Sequence, residues 1–309
     1  MPMKCPPFND IRQAEDRGWP WTGETPSLAD TMPGGTPWPA ISIVTPSFNQ
    51  GAFIEKTIRS VLLQGYPNLE YVIMDGGSTD GSVDIIKKYE PWLTSWVSEK
   101  DPGQAAAINK GFARTTGAIL GWLNSDDIYL PGALAKVAET AAANPDASAF
   151  AGKGRHVDAR GRILYDYAAN DISFEGLVHG RAFVHQPSCF FTKEVFERVG
   201  GLDESLFIPM DLDLWLKISR AGRFAAIPAR IAEDLAHPDA KCVSDKYDLL
   251  HTAERIVVLA RYDESVAKEE ILNMLRFIRK TTSLPFYKPL RGIYRRLFGA
   301  THEVPPGRP

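Results

Sequence analysis

The residues with most chemical promise are carboxylates, and they stand at the ends of short apolar runs. Ile41-Ser42-Ile43-Val44 leads into Thr45-Pro46-Ser47-Phe48-Asn49, and Leu69 to Met74 leads into Asp75-Gly76-Gly77-Ser78-Thr79-Asp80-Gly81. Trp96-Val97 precedes Glu99-Lys100-Asp101-Pro102-Gly103-Gln104, and Ile119 to Leu123 precedes Asn124-Ser125-Asp126-Asp127. In open sheets wound with helices, ligands bind outside the carboxyl ends of the strands, so these segments predict one acidic rim. Crowded carboxylates raise one another's pKa unless a cation lies between them, and hard oxygen ligands select Mg²⁺ or Mn²⁺. An ion held by Asp127, with Asp126 beside it, would in turn hold a diphosphate. A single Asp after a strand is ordinarily a cap or turn residue, which is the expectation for Asp80. The doublet at 126 and 127 differs, because a cap needs only one carboxylate.

Other chemistries fit less well. The glycine-rich segment at 76–81 has neither GxGxxG spacing nor the lysine of GxxxxGK[ST], and Ser78 is not in a GxSxG elbow. The histidines at 156, 179, 185, 237, 251 and 302 contain no HExxH, and Cys5, Cys189 and Cys242 lack the short paired spacing of a zinc site. A net charge of -3 argues against nucleic acid as a partner.

The elements that must position the rim are strands alternating with helices, which predicts an α/β fold with a mostly parallel sheet covered on both faces. Helical faces are expected after Asn49-Gln50-Gly51 (Phe53, Ile54, Ile58, Val61, Leu62), from Thr79 or Asp80 to Tyr89, over Gln104 to Ala113, Leu134 to Ala143 and Leu212 to Ala221. Further strands are expected at Ser148 to Phe150, Arg162 to Tyr167, Ser188 to Thr192 and Phe224 to Ile227. Three regions result: an extended Trp- and Pro-rich arm over 1–39, a nucleotide-binding domain over 40–235, and a helical extension over 236–309. The arm's tryptophans are expected to pack on the domain. No run approaches the ~20 apolar residues of a membrane span, and nothing in the first residues reads as a secretory signal, so a cytoplasmic protein is expected.

Taken together, Ile41 to Asn49, Asp75 to Gly81, Trp122 to Asp127, Gly200-Gly201-Leu202-Asp203-Glu204 and Met210-Asp211-Leu212-Asp213-Leu214-Trp215 resemble, in order and spacing, the inverting nucleotide-sugar glycosyltransferases of family 2, with the GT-A fold. The resemblance spans about Pro37 to Ile227. It implies a single mostly parallel mixed sheet flanked by helices, and a donor that is a nucleotide-diphosphate sugar, expected to be of the UDP type. Thr45, Pro46, Ser47 and Asp75 would hold the base and ribose, with Asp101 nearby and Asn49 a further nucleotide-sugar-binding candidate. Asp126 would approach the ribose or sugar, and Asp127 would ligate Mn²⁺ or Mg²⁺ on the diphosphate. Asp211, in a motif whose usual Glu-Asp here reads Met-Asp, would be the catalytic base, with Asp213 the alternative. His185, Gln186, Asp213 and Trp215 are candidates to border the acceptor site, although Trp215 also shares a core-facing helical stripe. Gly76 stands where many relatives carry a second Asp.

The resemblance implies an acceptor hydroxyl on a saccharide or lipid-linked carrier, in bacterial surface polysaccharide synthesis. Between Ile271 and His302 there is no acidic residue, and Leu290, Ile293, Tyr294, Leu297 and Phe298 recur at helical spacing among Lys288, Arg291, Arg295 and Arg296. Such a stripe either packs on protein, the simpler reading, or lies on an anionic membrane, which would put residues 288–298 in peripheral contact with its inner face. Two other functions compete. A sugar-phosphate nucleotidyltransferase would need a basic glycine-rich loop after the first strand, which Pro46 to Gln50 is not. A sensor built on an inactive transferase has no use for a base at 211.

Overall fold

Strand and helix alternate as the apolar runs require: β1 (Ile41–Ser47), α1 (Ile54–Leu62), β2 (Leu69–Asp75), α2 (Ser82–Tyr89), β3 (Ser95–Ser98), α3 (Gln104–Phe112), β4 (Ile119–Trp122) and β5 (Ile128–Tyr129). There follow α4 (Ala133–Ala143), β6 (Ala149–Asp158), β7 (Ile163–Tyr167), α5 (Phe174–Val178), β8 (Cys189–Thr192), α6 (Lys193–Arg198), α7 (Met210–Ala221), β9 (Phe224–Ala236), α8 (Asp248–Ala260) and α9 (Glu264–Lys280). The computed structural model describes residues 18–23, 27–168, 172–238, 240, 241 and 248–280.

One sheet runs in the order β3-β2-β1-β4-β8-β6-β9-β5, with β7 added to the edge of β6. Strands β3, β2, β1 and β4 are parallel, so their carboxyl ends, and the acidic segments that follow them, share one edge. Strand β8 then runs antiparallel to β4, β6 antiparallel to β8, and β9 parallel to β6. Every residue of β1 is buried, as expected for a central strand covered on both faces. On one face Ile54, Ile58 and Val61 of α1, Ile86 and Tyr89 of α2 and Leu134 and Val137 of α4 pack against Ile41, Ile43, Tyr71 and Ile73. On the other, Phe112, Phe191 and Phe196 form a ring cluster, and Trp122 stacks on Trp215 (centroids 5.4 Å, 14° between planes).

The arm's tryptophans do cover the domain. Trp19 Nε1 donates to the Tyr129 carbonyl (2.7 Å), the Arg59 guanidinium lies 4.7 Å from the Trp21 ring centroid, and buried Trp38 meets Tyr66 edge-on.

Strands β6 and β9 are longer than their sequences suggest, and β5 is too short to show a pattern. Pro228 cannot donate to a ladder, yet β9 continues past it, because the register shifts between Gly152 and Lys153 pass over Pro228 and Ala229. The extra length carries Glu233 and Asp234 to the acidic rim. The chain divides into two compact units, Met1–Ser244 and Asp245–Pro309, so His237 and Lys241 belong to the unit that holds the rim. In the second unit α8 and α9 pack on each other, and Arg255 pairs with Glu270 (3.5 Å). The basic stripe at 288–298 lies outside the described residues.

Candidate active site

Two loops are tied together at the ends of β1 and β2. Asn49, at φ +52°, accepts from Thr79 N through Oδ1 (3.0 Å) and donates its own N–H to Ser78 Oγ (2.7 Å). The left-handed region is one that Asn tolerates better than most residues. Asp80 acts within the same knot, accepting from Gly51 N (2.8 Å) and from Ser82 N and Oγ. Asp75 is buried, and both its oxygens serve the turn: it accepts from Gly77 N, from Ser78 N and Oγ, and from Ser98 Oγ (2.7 Å).

Beside this turn is an open position. A Cβ added to Gly76 would lie 3.1 Å from Asp101 Oδ2 and 3.3 Å from the ring of Phe48, which is 62% exposed. Gly76 therefore forms a floor between a carboxylate and an aromatic face, and a larger residue there would press on both. Burial and the nearby Asp75 charge raise the Asp101 pKa, against the opposing N–H of Gly103. Ser47 Oγ, at the end of β1, is buried with no hydrogen-bond partner among the described residues. The Thr45 hydroxyl instead pairs with Tyr71 in the core (3.0 Å) and does not reach the rim. Pro46 is buried within β1.

The doublet after β4 splits between two environments. Asp127 is enclosed, accepting from Asn124 Nδ2 (3.1 Å) and from the backbone of Leu235 in β9. Its pKa is raised well above the carboxylate range, first by burial and then by the charges of Asp126 and Asp234. Asp126 faces outward into a cleft of about 510 Å³ that Trp19, Trp21, Phe53 and Asp234 also line, and its Oδ2 lies 2.9 Å from His237 Nε2. The His237 ring lies tilted against Phe53 (centroids 4.5 Å, 35° between planes). Among the described residues no three His, Cys, Asp or Glu side chains converge as a self-sufficient metal site, so a cation here would need ligand oxygens from a bound diphosphate.

Asn124 joins these groups to a wider network. Its Nδ2 also donates to Gln186 Oε1 (3.0 Å), and its Oδ1 accepts from Gln104 Nε2 (2.8 Å). Gln104 in turn accepts from Lys241 Nζ (2.8 Å), whose ammonium sits 4.0 Å from the Phe207 ring centroid. Gln186 also donates to the Trp122 carbonyl, so it braces the rim rather than lining an open pocket. His185 is buried, with Nδ1 on Ser188 Oγ (2.7 Å) and Nε2 on Asp234 Oδ1 (2.8 Å).

A Cβ on Gly154 would stand 1.9 Å from His185 Nδ1. Gly154→Ala is therefore expected to lower unfolding free energy by about 1–3 kcal/mol, measured by urea denaturation, because the ring has no room to retreat.

Asp211 lies in the first turn of α7, partly exposed, with Oδ1 accepting from Leu212 N (2.8 Å). It is close enough to Cys189 that its charge adds to burial in raising that thiol's pKa. Ile119 and Leu120 pair with Thr192 and Phe191, so Cys189 lies toward the Trp122 end of β4. Asp213 is fully buried and held by Lys217 Nζ (2.7 Å). Trp215 is 2% exposed, so both of these acceptor-site candidates are buried in the fold. Sequence reasoning placed Phe48 and Asn124 on the rim without a role and did not single out Asp234, His237 or Lys241. Only the segments that end the first and fourth apolar runs carried a local signal, for Phe48 and Asn124.

The pKa of Asp127 has a consequence for stability. Below about pH 4 both folded and unfolded chains hold this proton. As pH rises past that value the unfolded chain ionises before folded Asp127 does, so over that interval the folded state binds more protons and stability falls with pH. Asp127→Asn removes this slope, and in EDTA the variant is expected to be more stable than wild type at pH 7, as read by thermal denaturation across pH 4–8.

A model described as Glycosyl transferase family 2 matches residues 42–200, just over half of the chain. An uncharacterized glycosyltransferase of Mycobacterium tuberculosis is 30% identical over 186 residues, covering 58% of this chain and 68% of that protein. A putative teichuronic acid biosynthesis glycosyltransferase of Bacillus subtilis, TuaG, is 39% identical over 108 residues, covering 34% of this chain and 43% of that protein. Among solved structures, S. aureus TarS 1–349 in complex with UDP-GlcNAc superposes with a TM-score of 0.58 at 15% identity, covering 85% of this chain and 76% of that one. At that identity the likeness concerns the fold.

Proposed function

This chain belongs to glycosyl transferase family 2 and has the GT-A fold, and we propose that it transfers a sugar, with inversion, from a nucleotide-diphosphate sugar to an acceptor hydroxyl in surface polysaccharide synthesis. The observation that carries this reading is the convergence, at one edge of the sheet, of an exposed ring beside a carboxylate (Phe48 and Asp101 flanking Gly76) with the Asp126–His237 pair. The first suits a nucleobase, which stacks on an aromatic face and donates to a carboxylate. The second suits a divalent cation on the diphosphate, because carboxylate, imidazole and phosphate oxygens together complete a coordination shell.

The geometry supports Asp126 and His237 as the metal ligands, with Asp127 enclosed behind them. That reverses the roles expected for the doublet, since a ligand must be reachable by the ion. A bound Mn²⁺ or Mg²⁺ would neutralise charge growing on the leaving diphosphate. Asp211 would accept the acceptor hydroxyl's proton as that oxygen attacks the anomeric carbon from the face opposite the diphosphate. Asp213 is occupied by Lys217, which favours Asp211 for this role. A UDP donor and a cell-surface glycan acceptor, saccharide or lipid-linked, are favoured by the names of the S. aureus and B. subtilis relatives. Among the described residues no helix is long and apolar enough to cross a membrane.

The test is a panel of UDP-, dTDP- and GDP-sugars with Mn²⁺, following release of nucleoside diphosphate. Slow release from one donor, abolished by EDTA, is expected. No release and no metal-dependent binding of any donor would overturn the reading.

A further inference from the structure

The sheet face formed by β7, β6 and β9 carries a surface that donor binding does not use. Register sets Tyr165 opposite His156 and His156 opposite Asp234, and in the next row Tyr167 opposite Gly154 and Gly154 opposite Ala232. Cross-strand partners, and residues two apart on one strand, share a face, so both rows lie on the same side. The missing side chain at Gly154 admits the ring of His185. Tyr167 stacks on that ring (centroids 4.6 Å, 25°) and on Phe183 (5.0 Å, 21°), and Tyr165 meets Tyr167 edge-on at 4.7 Å.

A continuous strip of rings thus runs inward from the sheet edge. At its outer end Tyr165 and Phe183 are 60% and 58% exposed. At its inner end His156 and His185 both bind Asp234, which stands near Asp126 and Asp127. Ser188, bonded to His185, precedes Cys189 in the field of Asp211.

Exposed apolar area of this kind marks an interaction site, and its composition indicates the occupant. A surface made for lipid would be apolar throughout its contact face. Here rings alternate with imidazole and carboxylate, and tyrosine itself offers an apolar body with a polar tip. A pyranose has the matching character: a C–H face that lies on a ring and a rim of hydroxyls for polar neighbours.

We infer that the β7-β6-β9 face is the acceptor platform, and that it takes a saccharide chain whose rings stack on Phe183 and Tyr165 while its growing end reaches the carboxylates. This rests on the transferase reading, and it names the acceptor as a glycan chain. Tyr165 and Phe183 act in binding, not in the chemical step.

The test titrates the full chain with maltohexaose, chitohexaose and mannohexaose, observed by saturation-transfer NMR and calorimetry. Wild type is expected to bind at least one, with Tyr165→Ala and Phe183→Ala each weakening it by about fivefold or more, the scale of one aromatic contact. Tyr165→Phe, which keeps the ring, should bind within about twofold of wild type on the same scale. Thermal denaturation checks that the variants fold, as expected for exposed positions.

Failure of wild type to bind any of the three would overturn the inference, as would unchanged binding by both alanine variants. So would variants whose sugar binding is unchanged but whose binding to phosphatidylglycerol vesicles, or self-association in sedimentation, is lost. Nucleotide release from the donor panel, measured on the same wild-type preparation, separates the two levels. Release without oligosaccharide binding sinks the platform alone, whereas no release and no metal-dependent binding of any donor sinks the transferase reading with it.

Discussion

Asp211→Asn is expected to lower kcat for sugar transfer by about 10²–10⁴-fold, the range for losing a positioned general base, with donor affinity nearly unchanged. The substitution is nearly isosteric, and the new amide oxygen still accepts from Leu212 N, so the first turn of α7 keeps its shape. What disappears is the ability to take a proton from the attacking hydroxyl. The companion variant is Asp213→Asn, two residues on. Asp213 is buried against Lys217, so its loss should appear first as lower stability, because one member of a buried ion pair is left behind. Steady-state kinetics with a competent acceptor, together with urea denaturation, separates the two. A full loss of kcat in Asp213→Asn with normal stability, and near-normal turnover by Asp211→Asn, would move the base to 213.

How far this site was legible in the sequence follows from how local each signal is. The strands β1, β2 and β4 are short apolar runs with polar residues at their ends, and parallel pairing then brings Asp75, Asp101 and Asp126 to one edge without further information. The second half of the site depends on β9. Its stretch Ile227-Pro228-Ala229-Arg230 breaks strand alternation and contains a proline, so nothing in the sequence extends the strand to Ala236. Pairing with β6, bulged at Gly152 and Lys153, supplies that extension and delivers Asp234 and His237. A histidine 111 positions from its carboxylate partner has no spacing to betray it. The choice within the Asp126-Asp127 doublet was equally hidden. Sequence makes the two equivalent, and only the closing of β9 over Asp127, through the Leu235 N–H, distinguishes an inner from an outer carboxylate.

That distinction yields the sharpest test of the metal chemistry. If Asp126 and His237 hold the ion, Asp126→Ala should abolish metal-dependent donor turnover. Asp127→Asn should only raise the Mn²⁺ concentration needed for half-maximal rate, by about 10–100-fold, as for groups that support ligands without touching the metal. If Asp127 is the ligand, the order of severity reverses. Burial argues for the first outcome, since Asp127 already spends its oxygens on Asn124 and Leu235 inside the fold, whereas Asp126 opens on the cleft 2.9 Å from an imidazole nitrogen. The imidazole adds a second expectation. Mg²⁺ binds nitrogen poorly and insists on oxygen ligands, so a site that includes His237 should favour Mn²⁺. Replacing His237 with Gln, which offers an oxygen, should then narrow the gap between the two ions. Rates in Mn²⁺ and Mg²⁺ for wild type and the three variants, with Mn²⁺ affinity read independently by electron paramagnetic resonance in the presence of UDP, decide the matter. An unchanged Mn²⁺ preference in His237→Gln would remove the histidine from the coordination shell and leave the ion to the carboxylates and the diphosphate.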